Sequence, residues 1–213
     1  MKVTAVVPVY NEEKTIKNVL DVLTSSDMIN EIIVVDDGST DNTPEIIKKF
    51  NVKIITLKKP RGKGYAVKVG TKDIKTNIII FFDADLIGLK KEHVDVLLEP
   101  VTKGGAAMVI GLRDKGNIIA NMIMPYFPLT GGERAILTNV FMEIRKNPFI
   151  EGWGLESVMN DYCKKKKLKV VKTKLTGVDH IGMQHKKYGL MAFLRQIYDV
   201  AITKIKLFGV KYD

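Results

Sequence analysis

The stretch NIIIFFDADL, residues 77–86, carries an apolar run from Ile78 to Phe82 straight into two acids spaced one apart, Asp83 and Asp85. Burying Ile78 to Phe82 is a matter of packing. Ending that run on two negative charges is not. In an extended chain residues i and i+2 project to one side, so both carboxylates can face one cleft where the strand leaves a sheet. Two clustered carboxylates repel unless a cation or a proton joins them. Hard oxygen ligands suit Mg²⁺ or Mn²⁺, which keep open positions for phosphate oxygens. The pattern alone equally allows a strand followed by a polar turn, with Asp85 capping a later helix.

Working outward, short β-branched runs recur. KVTAVVPV (2–9), EIIVVDD (31–37), VKIITL (52–57), NIIIFFD (77–83) and AAMVIGL (106–112) read as strands. Between them Ile16, Val19, Leu20 and Leu23 keep helical spacing, Asn42 or Thr43 precedes Pro44 as a helix start, GKGYAVKVGTK follows a glycine turn, and KKEHVDVLLEPV reads as a further helix. Strands and helices in turn predict an α/β fold with a mostly parallel central sheet. Continuous apolar strands fit a sheet covered on both faces. Ligands of such sheets lie at the carboxyl ends of the strands. Asn11 and Glu12, Asp36 and Asp37, and Asp83 and Asp85 follow the first, second and fourth strands, so three strands deliver polar groups to one edge.

The second half is less regular. MPYFPLTGGERAIL (124–137) predicts a proline- and glycine-rich loop and then a helical start. FIEGWGLESVMNDYCKKKK (149–167) predicts a glycine-broken loop entering a helix, LKVVKTKL (168–175) a strand, and GVDHIGMQHKKYG (177–189) a polar loop with two of the three histidines. From residue 188 onward Leu190, Leu194, Ile197, Tyr198, Ala201 and Ile205 share one helical face. Core packing is the expectation for Trp153 and Tyr126, and a plain helix face for His93.

The 213 residues suit one domain with a short appended segment. The expected boundaries are 1–187 for the domain, in two halves of about 1–112 and 113–187, and 188–213 for an amphipathic helical tail. Cys163 is the one cysteine, which excludes an internal disulfide and suits a reducing cytoplasm. The N-terminus lacks the pattern of a signal peptide, and no run reaches the roughly 18 apolar residues of a membrane span. Lys and Arg outnumber Asp and Glu by 34 to 24, a formal charge of +10, which admits anionic partners. The charge is scattered and no nucleic-acid-binding motif is present, so nucleic acid is not the expected partner. The tail, with Lys204, Lys206 and Lys211, is compatible with core or dimer packing or with peripheral contact at the inner membrane face.

VVDDGSTDNT (34–43) sets Asp36 and Asp37 on a strand end, where a carboxylate can accept hydrogen bonds from ribose hydroxyls or a base N–H, although Asp-Gly-Ser is also good turn chemistry. In KKPRGKGYAV (58–67), Lys63 stands between Gly62 and Gly64 at a helix start, where backbone N–H groups and a lysine suit a phosphate. The string is neither a Walker loop nor G-x-G-x-x-G.

VVPVYNEEKTI, EIIVVDDGSTDNT, RGKGYAV and FFDADL stand in the order and approximate spacing of family 2-like glycosyltransferases, which the first 90 or so residues resemble. The resemblance implies the GT-A (Rossmann-like nucleotide-diphospho-sugar transferase) fold and a nucleotide-diphosphate sugar donor, UDP- or GDP-linked. It also implies Mg²⁺ or Mn²⁺ held by Asp85 and Asp83. Pro8, Tyr10, Glu12, Asp37 and Gly38 match the nucleoside pocket, and Lys63, Asp83 and Ala84 donor-contacting positions. PLTGGERAI and FIEGWGLES are similar to segments of glucosyl-3-phosphoglycerate synthase and related small enzymes. That likeness implies an acceptor loop at Thr130, Gly131, Gly132 and Arg134. It further implies a metal-binding histidine after the last core strand, His180, with His185 as the alternative.

Glu156 is the first candidate for the carboxylate that takes the acceptor proton in an inverting enzyme, with Glu133 and Asp179 behind it. In a retaining enzyme Glu156 orients acceptor or donor. QHKKY (184–188) has Lys and Tyr where Q-x-x-R-W of processive synthases has Arg and Trp, so Lys186 and Lys187 are either diphosphate contacts or a solvated loop. The acceptor stays open between a phosphorylated small molecule such as 3-phosphoglycerate and a polyprenyl phosphate or cell-envelope glycan. A D-x-D phosphatase leaves PVYNEE and DDGS unexplained. A nucleotidyltransferase needs a glycine- and arginine-rich loop where PVYNEE stands. A non-catalytic nucleotide-sugar binder also stays open.

Overall fold

The β-branched run Val3–Val9 forms strand β1, and it stays buried over almost its whole length because both faces of the sheet are covered. In this computed structural model the structure describes residues 1–113, 131–151, 154–180, 198, 202–203, 205–210 and 212. From β1 the chain alternates through α1 (Ile16–Thr24), β2 (Glu31–Asp36), α2 (Thr43–Ile47), β3 (Lys53–Thr56), α3 (Lys63–Gly70) and β4 (Ile78–Phe81). A two-residue strand β5 (Leu86–Ile87), helix α4 (Lys91–Thr102) and β6 (Met108–Arg113) follow. Then come β7 (Arg134–Leu137), α5 (Thr138–Ile144), a 3-10 turn at Pro148–Ile150, α6 (Leu155–Lys165), β8 (Val170–Leu175) and β9 (Asp179–His180).

Seven strands form one sheet in the order β3-β2-β1-β4-β7-β6-β8. β3, β2, β1 and β4 run parallel, with Pro8 opposite Val35 and Val6 opposite Phe81. β7 is antiparallel to both its neighbours, β4 and β6, and β8 is parallel to β6. The carboxyl ends of β1, β2, β4, β6 and β8 therefore share an edge with the start of β7. Side chains alternate between two cores. α1 and α4 cover one face over Val7, Ile80 and Val109. α3, α5 and α6 cover the other over Ile79, Phe81 and Ile110.

Two sequence expectations are corrected. The helical start expected at Arg134–Leu137 is strand β7, and the helix begins at Thr138. Four residues carry little local preference, and open ladder groups on β4 and β6 decide their conformation. The loop expected at 177–189 holds β9, where His180 pairs with Leu86 and Asp179 with Ile87. The helical face expected from residue 188 lies largely outside the described residues, as do Trp153 and Tyr126. Among those described, Leu207 is buried and the Tyr212 ring meets Tyr162 edge-on at 4.8 Å. No helix among the described residues is long and apolar enough to cross a membrane.

Candidate active site

The loops after β1 and β2 are laced together at the carboxyl edge. Asn11, at φ 53°, accepts from Thr40 N at Oδ1 (2.8 Å), and its own N–H donates to Ser39 Oγ at 2.9 Å. Glu12 N donates to Thr43 Oγ1 at 2.8 Å. Gly38 holds φ 80° with the Lys59 backbone so near that a Cβ would stand 3.2 Å from it, a turn that favours glycine. Pro8 is half-buried and Tyr10 exposed beside this turn.

The two aspartates of DDGS divide their work. Asp37 spends both oxygens on backbone, accepting from Arg61 N at 2.8 Å and Gly62 N at 2.7 Å. It therefore anchors the loop that presents Lys63. Asp36 accepts from Ser39 N at 2.9 Å through Oδ1, while its buried Oδ2 has no hydrogen-bond partner. Asp36, which sequence reasoning passed over for Asp37, is thus the one with an acceptor oxygen to spare.

Lys63 lies at the centre. Its Nζ stands 2.6 Å from Asp83 Oδ1 and 2.7 Å from Glu156 Oε1. Burial works to lower the Lys63 pKa, but the two carboxylates outweigh it and hold the ammonium charged. Burial likewise works to raise Asp83, and Lys63, with Arg113 behind it, outweighs that and keeps the carboxyl below its ordinary range. Ala84 is buried in the core, while Asp83 and Asp85, in the loop and turn that follow β4, are half-buried.

Two glycines make this convergence possible. At Gly64 a Cβ would run into the Ile150 carbonyl, so only glycine lets α3 sit against the turn that leads to α6 and Glu156. At Gly132 a Cβ would run into the Asp83 carboxylate. Gly131 lies as close to strand β6, where a Cβ would stand 2.5 Å from Gly111 O. Gly132 of the expected acceptor loop therefore abuts the D-x-D directly, and Gly131 abuts β6.

Arg134 is 1% exposed. It donates through Nε to Gly131 O at 2.8 Å and through Nη1 to Asn160 Oδ1 at 2.7 Å, which ties the glycine pair to α6. Behind Asp83 lies a pair that the sequence left unconnected. Arg113 Nε stands 3.6 Å from Glu133 Oε2, and among the described residues neither carboxylate oxygen of Glu133 has a hydrogen bond. Burial raises the Glu133 carboxyl to about 7, with Arg113 opposing and the Asp83 charge adding. Arg113 was missed, although a charged residue closing VIGLR at a strand's carboxyl end carries the same signal that marked Asp36 and Asp83.

The β5–β9 pairing sets His180 opposite Leu86, the residue after Asp85. Carboxylate oxygens and an imidazole, as Asp83, Asp85 and His180 supply, are ligand types suited to Mg²⁺ or Mn²⁺. The Lys63 ammonium already shows that a cation is held against Asp83. Among the described residues no group of three or more His, Cys, Asp or Glu is gathered closely enough to hold a metal. His93 is more than a helix face. Its Nδ1 accepts from Lys90 N at 3.0 Å, so Nε2 carries the proton that faces Thr176 O at 3.1 Å, tying α4 to the turn before β9. Thr130, His185, Lys186 and Lys187 lie outside the described residues. An open groove of about 580 Å³ at the opposite edge, lined by Asn30, Glu31, Lys49 and Lys53 among others, is remote from all these groups.

A mostly parallel sheet with acids and a lysine gathered at its carboxyl edge defines a nucleotide-diphospho-sugar transferase type of fold, GT-A. The Glycosyl transferase family 2 model matches residues 4–147, and the chain belongs to that family. An uncharacterized protein of Methanocaldococcus jannaschii is 42% identical over 126 residues, 57% of this chain and 51% of the relative. Glycosyltransferase GlyA of Streptococcus pneumoniae is 28% identical over 168 residues, 72% of this chain and 24% of its own. 4,4'-Diaponeurosporenoate glycosyltransferase of Staphylococcus aureus is 33% identical over 100 residues, 45% of this chain and 27% of its own. The chain thus spans at most about half the length of these curated relatives. Glucosyl-3-phosphoglycerate synthase of Mycobacterium tuberculosis, solved with Mn²⁺, UDP and glucosyl-3-phosphoglycerate, superposes with a TM-score of 0.79 at 22% identity. That match covers 99% of this chain and 81% of the synthase, and it shows the fold.

Proposed function

We propose that the chain transfers a sugar from a UDP- or GDP-sugar to an acceptor hydroxyl, with Mg²⁺ or Mn²⁺ as resident cation, in the reducing cytoplasm. Residues 1–187 form the transferase domain and 188–213 its tail. The observation that carries the reading is the bridge from Lys63 to both Asp83 and Glu156, which joins the donor motifs of the first half to α6 of the second.

Asp83, Asp85 and His180 would hold the metal, which when bound supplies Lewis-acid stabilisation of the diphosphate's negative charge. The bond from the anomeric carbon to the diphosphate oxygen breaks and one to the acceptor oxygen forms. Arrival of a diphosphate gives Lys63 a stronger anion than its two carboxylates, and its charge then stabilises the departing group. That exchange frees Glu156, in the first turn of α6, to take the acceptor proton in an inverting reaction or to orient the reactants in a retaining one. Pro8, Tyr10, Glu12 and Gly38 border the donor, with Asp37 presenting Lys63 and Ala84 seated in the core between the two acids. Thr130, Gly131 and Gly132 border the acceptor, with Arg134 holding the glycines in place.

The synthase neighbours were solved with phosphoglyceric acid or glycerol 3-phosphate, which favours a phosphorylated acceptor of that kind. A thermal-shift screen of nucleotide sugars with Mg²⁺ or Mn²⁺, followed by donor hydrolysis, tests the reading. Asp85→Ala is expected to abolish metal-dependent turnover with the fold intact. Full activity of that variant on the donor found would end it.

A further inference from the structure

The flank of the molecule around the end of α6 is unlike the rest of its surface. From Asp161 to Leu175 the chain carries seven lysines, at 164, 165, 166, 167, 169, 172 and 174, against the single acid Asp161. Lys165 neutralises that acid at 2.8 Å. The ion pairs among the described residues engage none of Lys164, Lys167, Lys172 and Lys174, all of them exposed. On β8, Val171 and Leu175 face the core under α4. Lys172 and Lys174 therefore project to the opposite face, the one that carries α6.

The C-terminal segment is pinned to this flank. Lys165 Nζ donates to Leu207 O at 2.6 Å and to Val210 O at 2.8 Å, and Tyr212 OH donates to Asp161 Oδ2 at 3.1 Å. Leu207 enters the core, yet Ile205 remains 71% exposed and Phe208 93% exposed. A turn thus holds two large apolar side chains in solvent on the flank that carries Lys164, Lys167, Lys172 and Lys174.

We propose that this flank, centred on Phe208, Ile205, Lys164 and Lys167 and extended by Lys172 and Lys174, docks the protein on an anionic lipid bilayer. Charge complementarity selects an anionic partner. The two exposed apolar side chains select a lipid surface over a soluble polyanion, because only a bilayer offers an apolar phase directly beneath its charged groups. The edge strand β8 runs from this flank to Leu175, opposite Arg113 at the carboxyl edge of the sheet. Docking would therefore leave the candidate active site at the membrane margin. The inference does not rest on the glycosyl-transfer reading.

Co-sedimentation of the full 213-residue chain with vesicles tests it. Vesicles of phosphatidylglycerol and phosphatidylcholine in equal parts are expected to bind the protein, pure phosphatidylcholine is not, and about 0.5 M salt is expected to release it. Each lysine near the surface contributes about fivefold in partitioning, so Lys164→Glu with Lys167→Glu should lower binding by well over tenfold. Phe208→Ser with Ile205→Ser should lower it at least tenfold with the melting temperature unchanged. Equal binding to both vesicle types, no binding to either, or binding indifferent to the serine pair would overturn the proposal. So would tRNA binding as tight as that to the anionic vesicles and indifferent to the serine pair, which would make the flank a polyanion site. A dimer in solution that the serine pair converts to monomer would assign the surface to a second copy and overturn it equally.

Discussion

Gly132→Ala isolates the contact on which the candidate site depends. A Cβ at that position would overlap Asp83 Oδ2 and stand 2.7 Å from Cγ and 2.8 Å from Oδ1. Gly132 is not among the positive-φ glycines, so alanine brings no backbone strain and the collision acts alone. The Asp83 carboxylate must leave the place where Lys63 Nζ holds it at 2.6 Å. Overpacking of this kind costs about 1–3 kcal/mol. The weakened ion pair, whose two side chains are each 22% exposed, adds about 1 kcal/mol after solvent screening. A loss of about 2–4 kcal/mol should appear in urea unfolding. Turnover should fall about 100-fold, the cost of misplacing a positioned group by about 1 Å. The Mn²⁺ concentration for half-maximal donor hydrolysis should rise with it. Gly131→Ala is the control. Its Cβ would press on Gly111 O and Ile110 and not on Asp83, so it should cost stability while leaving the Mn²⁺ midpoint alone. Wild-type turnover and midpoint in Gly132→Ala, or identical midpoint shifts in the two variants, would refute the reasoning.

Glu133, raised by burial from an ordinary 4.5 to about 7, gives a pH test. An acid whose folded pKa lies above its unfolded one contributes fully below the unfolded value and loses that contribution as pH rises through the folded one. The chain should lose about 3 kcal/mol of stability between about pH 4.5 and 7 on this account, and Glu133→Gln should flatten that slope in urea unfolding; superimposable slopes would count against it. Lys63→Met leaves Asp83 and Glu156 without their cation, at a cost of about 2 kcal/mol once their partial exposure is allowed for. Asp83, now held low by Lys63, should rise, so the deficit should be largest at neutral pH and shrink toward pH 5. A deficit independent of pH would show that Lys63 acts by packing alone.

The donor half was legible because its residues obey local rules. β-branched runs gave β1 to β4 and β6 to within a residue or two, apolar spacing gave α1 and α4, and acids at strand ends marked the edge. The second half was less so. Arg134–Leu137 follows two glycines and leads into a helix, and nothing local says that it fills the gap between β4 and β6. Asp179–His180 becomes a strand only because Leu86–Ile87 is there to pair with it. Asp36 and Asp37 look equivalent in the chain, and the loop at Arg61 and Gly62 tells them apart. The Arg113–Glu133 pair joins residues 20 apart in the chain through the β6–β7 register, in which Gly111 N meets Glu133 O at 2.8 Å.

The sequence by itself determined that two carboxylates follow β4 at its carboxyl end, because an apolar run of strand length stops where they begin. It determined equally that they share an edge with the acids after β2, because parallel strands put their carboxyl ends together. What meets those carboxylates was decided only by the tertiary structure. Lys63 and Glu156 are 93 residues apart and touch because Gly64 admits the Ile150 turn. Gly132 lies against Asp83 because β7 pairs with β4. Such contacts depend on the summed approach of several elements, and no local preference in the chain encodes that.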